Sequence, residues 1–128
     1  MIDDTRSEPD RPSDTVTVEI PAQPRFVALV RVAAASMAAD LDPVIDEVED
    51  LRVAVNELVG LLVEAADGGS VVVRLWSDER TINVTGRCSG ATTPVAPDEL
   101  TERILDATVD DYEIGDGAFQ ACKFLGAV

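Results

Sequence analysis

Glu49-Asp50-Leu51-Arg52-Val53-Ala54-Val55-Asn56-Glu57-Leu58-Val59-Gly60-Leu61-Leu62-Val63-Glu64-Ala65-Ala66 carries the strongest periodic pattern in the chain. At about 100° per residue, Val48, Leu51, Val55, Leu58, Val59 and Leu62 fall on one broad apolar stripe, expected to face a sheet. A second row, roughly 130° round the helix, holds Asp50, Val53, Ala54, Glu57, Leu61 and Glu64. Glu57 and Leu61 are therefore neighbours one turn apart, off the main core stripe. Leaving Leu61 in water forgoes about 1.5–3 kcal/mol of burial. Either the segment that follows in the fold collapses onto it, or a partner covers it.

Working outward, Asp42-Pro43 reads as the start of this helix, with Asp42 suited to the N-cap and Pro43 to the first turn. Asp46 and Glu47 lie near the positive end of its dipole, and Asp67-Gly68-Gly69 stops it. Upstream, Phe26, Leu29 or Val30, Ala33, Met37 and Leu41 recur at helical steps. Before them Thr15-Val16-Thr17-Val18-Glu19-Ile20 alternates like a half-buried strand, closed by Pro21 and Pro24. Residues 1–14 are charged and contain proline, which predicts a disordered acidic tail ahead of a single domain over 15–128.

Downstream, Ser70 to Trp76 and Thr81 to Thr85 read as a hairpin. Gly86 to Pro97 reads as a loop, Asp98 to about Ala107 as a short helix, and Val109 to Ile114 and Ala118 to Leu125 as two strands around Gly115-Asp116-Gly117. The order β-α-α-β-β-α-β-β predicts an α/β (α+β) two-layer sandwich: a mostly antiparallel sheet with helices on one face.

Composition narrows the function. Twenty-five acidic against ten basic residues leave a net charge of −15, which disfavours direct nucleic-acid binding. A protein or small-molecule partner is expected. The absence of histidine excludes Ser-His-Asp and Cys-His catalysis. Cys88 and Cys122 lack metal-ligand spacing, so no metal site is expected and both read as packing thiols. No apolar run approaches the roughly 20 residues that span a bilayer, and no secretory leader opens the chain. A cytoplasmic location away from membranes is expected.

Leu51, Ala54, Val55 and Glu57 match a Leu-x-x-Ala-Val-x-Glu run, and here the chain resembles the anti-sigma-factor serine/threonine kinases of the GHKL, or histidine-kinase-like ATPase, superfamily. The resemblance extends in element order over about residues 15–125, from Phe26, Arg31 and Asp42-Pro43 to Ile104-Leu105 and Val109-Asp110-Asp111. It implies a Bergerat-type fold. It gives Glu57 the role of activating the attacking group near the γ-phosphate. The family's Mg²⁺-holding asparagine falls on Leu61, which has no oxygen for a hard cation. Its Asp-x-Gly-x-Gly box falls on Gly86-Arg87-Cys88-Ser89-Gly90, so Gly86 replaces the adenine-reading aspartate and only Gly90 survives. Its glycine-rich lid falls on Ala96-Pro97-Asp98-Glu99-Leu100-Thr101-Glu102, which lacks glycine.

Leu61, Gly86 and Gly90 thus mark a vestigial cofactor pocket in a degenerate member, and no cofactor is expected. Glu57 is either a catalytic base or a solvated helix residue. Arg31 falls where the family carries a partner-binding arginine, or is an ordinary surface arginine. Trp76 and Phe119 read as core aromatics. The function implied is a regulatory protein that binds a sigma factor and/or a STAS-type anti-anti-sigma partner without ATP hydrolysis. The alternative is an active kinase that phosphorylates the STAS protein, with Glu57 as base and Mg²⁺-ATP as cofactor. The family is commonly dimeric, so a homodimer is expected.

Overall fold

A computed structural model describes residues 14–90, 93–94 and 96–126; the predicted tail at 1–14 lies almost wholly outside the described residues. The elements are β1 (Val16–Pro21), a 3-10 turn (Pro24–Phe26), α1 (Val27–Ala39), α2 (Ile45–Ala65), β2 (Ser70–Asp78), β3 (Thr81–Ser89), α3 (Glu99–Thr108), β4 (Asp111–Gly115) and β5 (Ala118–Phe124). The strands form one sheet in the order β1-β2-β3-β5-β4, and every pairing is antiparallel. The two-layer class expected from the sequence is the one observed.

The core lies between the helices and one sheet face. Leu51, Val55, Leu58, Val59 and Leu62 of α2 are buried, together with Val71, Val73 and Leu75 of β2 and Ile82 and Val84 of β3. Alternation along β2 and β3 puts every second side chain into this layer. The stripe read from α2 is therefore the core stripe, although Ala54, placed in the second row, is buried as well.

Three expectations need correction. First, α2 is capped at Val44, whose N–H donates to Glu47 Oε1 at 3.1 Å. Asp42 instead adopts φ 53° in the connection. The glutamate reaching back to the first turn supplies the acceptor that Asp42 was expected to provide. Second, of Leu29 and Val30, left open by the periodicity, Val30 faces the core and Leu29 is 56% exposed; Phe26, Ala33, Met37 and Leu41 pack against the core as their spacing predicts, but the fully buried row is Val27, Val30, Ala34 and Ala38. In a helix that is apolar nearly all round, periodicity cannot single out the core face; packing on α2 does. Third, Trp76 is only half-buried. It stands on the sheet face opposite the helices, opposite Asn83 in the register, whereas Phe119 is a core residue as expected.

Gly60 sits mid-helix in α2, and a Cβ there would meet nothing within 4 Å. Gly60→Ala is expected to raise stability by about 1 kcal/mol, because alanine restricts the unfolded chain and favours helix. A urea titration showing no gain, or a loss, would contradict the open surroundings of this position.

Candidate functional site

Glu57 and Leu61 share one wall of a cleft of about 600 Å³. α2 supplies Asn56, Glu57, Gly60, Leu61, Val63 and Glu64. Ala22, Pro24 and Val27 close one side, and Ala96, Asp98 and Thr101 the other. The one-turn spacing of Glu57 and Leu61 aims both at the same opening. Leu61 is half-buried, so the segment around Ala96 has not collapsed fully onto it.

The far wall is set by the start of α3. Asp98 is its N-cap, and its Oδ1 accepts the Thr101 N–H at 2.8 Å. That backbone hydrogen bond holds the Asp98 carboxyl below the usual carboxylate range. The Thr101 hydroxyl makes a long contact, 3.5 Å, to Glu57 Oε1. Glu57 is half-buried and faces α3 across the cleft. Below the cleft, Thr93 donates its N–H to Ala65 O at 2.8 Å, and this pins the start of the β3–α3 connection to the end of α2. Cys88 lies close by, its thiol directed at Leu62 O at 3.3 Å. Burial pushes that thiol up from its ordinary pKa, which disfavours a reactive thiolate.

The other sequence-assigned positions are not brought to this cleft. Gly86, expected in a loop, lies inside β3, paired with Val73 and Phe119. The ladder continues to Ser89 because Ser70 to Val73 remain paired with it. A Cβ on Gly86 would stand 2.5 Å from Phe119 Cε2. The aromatic ring fills the space a side chain would need. Gly90 follows the strand with φ 96°, a conformation glycine adopts without strain. Arg31 is half-buried and donates through Nη1 to Asn56 Oδ1, so it touches the rim of the cleft through Asn56. Asn56 is a cleft residue that the sequence does not single out, and Asp98 and Thr101 enter the sequence reading only within the lid stretch and the short helix it opens; packing alone shows that α3 faces Glu57.

Mg²⁺-ATP is the group that the family resemblance implies. Among the described residues, the cleft walls carry three carboxylates, Glu57, Glu64 and Asp98, and no arginine or lysine. The α3 N-terminus, where backbone N–H groups would favour an anion, opens with Asp98, Glu99 and Glu102. Leu61 puts hydrocarbon where a hard cation needs oxygen. Aspartate cannot be accommodated at Gly86 without moving Phe119. The described walls thus offer the phosphates of a nucleotide no cationic side chain.

No family model matches the chain. It is 30% identical over 76 residues to the serine-protein kinase RsbW of Bacillus subtilis and 36% identical over 77 residues to that of Bacillus pumilus. In both cases the match covers 56% of this chain and 48% of the relative; the chain thus spans about half the length of the curated relatives it matches. Among solved structures, the RsbU and RsbW domains of Rv1364c from Mycobacterium tuberculosis superpose with a TM-score of 0.67 at 17% identity, covering 89% of this chain and 33% of that one. The fold is accordingly the RsbW-like, histidine-kinase-like ATPase fold. Among the described residues, no helix is long and apolar enough to cross a membrane.

Proposed function

We propose that this chain is a regulatory binding protein of the anti-sigma-factor kind. It holds a sigma factor, a STAS-type anti-anti-sigma protein, or each in turn, and does so without hydrolysing ATP. A homodimeric state and a cytoplasmic location belong to the same proposal.

The observation that carries it is the outer face of α1. In a chain of net charge −15, the thirteen residues of α1 include no carboxylate, and Arg31 is their one ionised side chain. Leu29 and Val32 are 56% and 64% exposed, and Val53 of α2, also exposed, adds to the apolar surface of the helical layer. Exposed aliphatic side chains beside a cation, on a surface otherwise rich in acid, suit a protein partner better than solvent. Competition between two partners for this one surface would give a switch set by differential affinity. The cleft supports the non-hydrolytic half of the reading through its carboxylates and Leu61.

The kinase reading keeps one observation in its favour: Glu57 is retained, in the run that matches the family, and the curated relatives are named serine-protein kinases. Calorimetric titration with Mg²⁺-ATP separates the two. The proposal expects no saturable heat and no thermal shift at millimolar nucleotide. Micromolar binding, or transfer of phosphate to a STAS protein that is lost in Glu57→Gln, would overturn it.

A further inference from the structure

The sheet face opposite the helices carries a feature that neither the cleft nor α1 uses. Here the register sets Arg74 of β2 opposite Thr85 of β3, and Arg87 of β3 opposite Val72 of β2. The two guanidinium side chains are thus diagonal neighbours on adjacent strands, with their Cα atoms roughly 7–8 Å apart. Both line one hollow of about 420 Å³, shared with Thr85, Gln120 and Glu113.

The electrostatics of this hollow are unusual for the chain. Acidic residues outnumber basic ones 25 to 10, yet neither arginine is among the ion pairs of the described residues. Arg74 Nε is buried and has no hydrogen-bond partner. An unsatisfied buried donor is costly, more so when it is charged. Glu113, the carboxylate in the hollow, has Oε1 engaged by Gln120 Nε2 at 2.8 Å. Two guanidinium groups against one occupied carboxylate leave the hollow cationic.

We infer that Arg74 and Arg87 form an oxyanion site on the outer sheet face, taking a phosphate or carboxylate group. A guanidinium presents five donors in a planar fork suited to such groups. An oxyanion between the two would satisfy the orphaned Nε and relieve repulsion between like charges. The Thr85 hydroxyl, in the same row as Arg74, offers a further donor.

The test is an NMR titration of the arginine Nε–Hε signals in the full chain, at constant ionic strength held with chloride. Inorganic phosphate is the probe in one arm and acetate in the other. Saturable shifts of Arg74 and Arg87 are expected, and the arm that saturates tells a phosphate source from a carboxylate source. Arg87→Gln, at an exposed position, should weaken binding at least tenfold with an unchanged melting midpoint, and the double variant with Arg74→Gln should abolish it. Linear shifts in both arms, or unaltered affinity in Arg87→Gln, would overturn the inference. So would arginine signals already protected without anion in a particle of twice the chain mass. That outcome would place the carboxylates of a second copy on these arginines instead.

Discussion

Gly86→Asp should lower the stability of the protein by about 3–5 kcal/mol, the penalty of an unpaired charge forced into a core. This substitution installs the aspartate that the family resemblance would place here, so a purely motif-based view would expect it to create a nucleotide site. The structure argues otherwise. Gly86 is buried in β3, and a Cβ there comes within 2.5 Å of the ring of Phe119, itself 5% exposed. Gly86→Ala tests the steric part alone and should cost about 1–3 kcal/mol, as overpacking does. Combining it with Phe119→Leu should cost less than the sum of the two single changes, because the residues are in contact. Urea denaturation of the parent and these four variants reads all of this. A Gly86→Asp protein as stable as the parent would mean that the space beside Phe119 is open to a side chain and that Gly86 is not sealed by the ring.

Glutamate at both Leu29 and Val32 should weaken capture of the proposed sigma or STAS partner at least 100-fold, equivalent to about 2.8 kcal/mol. The loss has two sources: apolar side chains leave the contact, and two carboxylates enter a surface that had none. Both positions are more than half exposed, so folding stability should change by no more than about 0.5 kcal/mol. Leu100→Glu is the matched control. Leu100 is 66% exposed but lies on α3, across the cleft from α1, and its replacement should leave the affinity intact. Equal losses at the two places would point to a charge effect spread over the whole molecule. Undiminished capture by the Leu29 and Val32 variant would remove α1 from the proposed function.

Much of the architecture was legible because it rests on local physics. The α2 stripe, the alternation in β2 and β3, and the turns at 79–80 and 116–117 follow from backbone periodicity and from residues that suit a reversal. The candidate site was legible only where its residues share one element. Glu57 and Leu61, one turn apart, meet as their spacing required. The assignments that failed or were left open concern positions whose neighbours lie far along the chain. Leu29 and Val30 are chemically alike, and only the approach of α2 sends Val30 inward. Val44 displaced Asp42 as the cap because the Glu47 carboxylate lies between it and the Gly126 N–H, which it also accepts at 3.0 Å.

Order of elements, layer class, an acidic composition and the one-turn spacing of Glu57 and Leu61 can all be deduced from residue identity, since each depends on spacing along one segment or on composition. Which face of α1 is wet, that Gly86 is sealed by Phe119, and that α3 closes on Glu57 through Thr101 were decided by packing. Burial and steric exclusion are properties of atoms brought together from distant segments, and a one-dimensional pattern carries no record of which segments will meet.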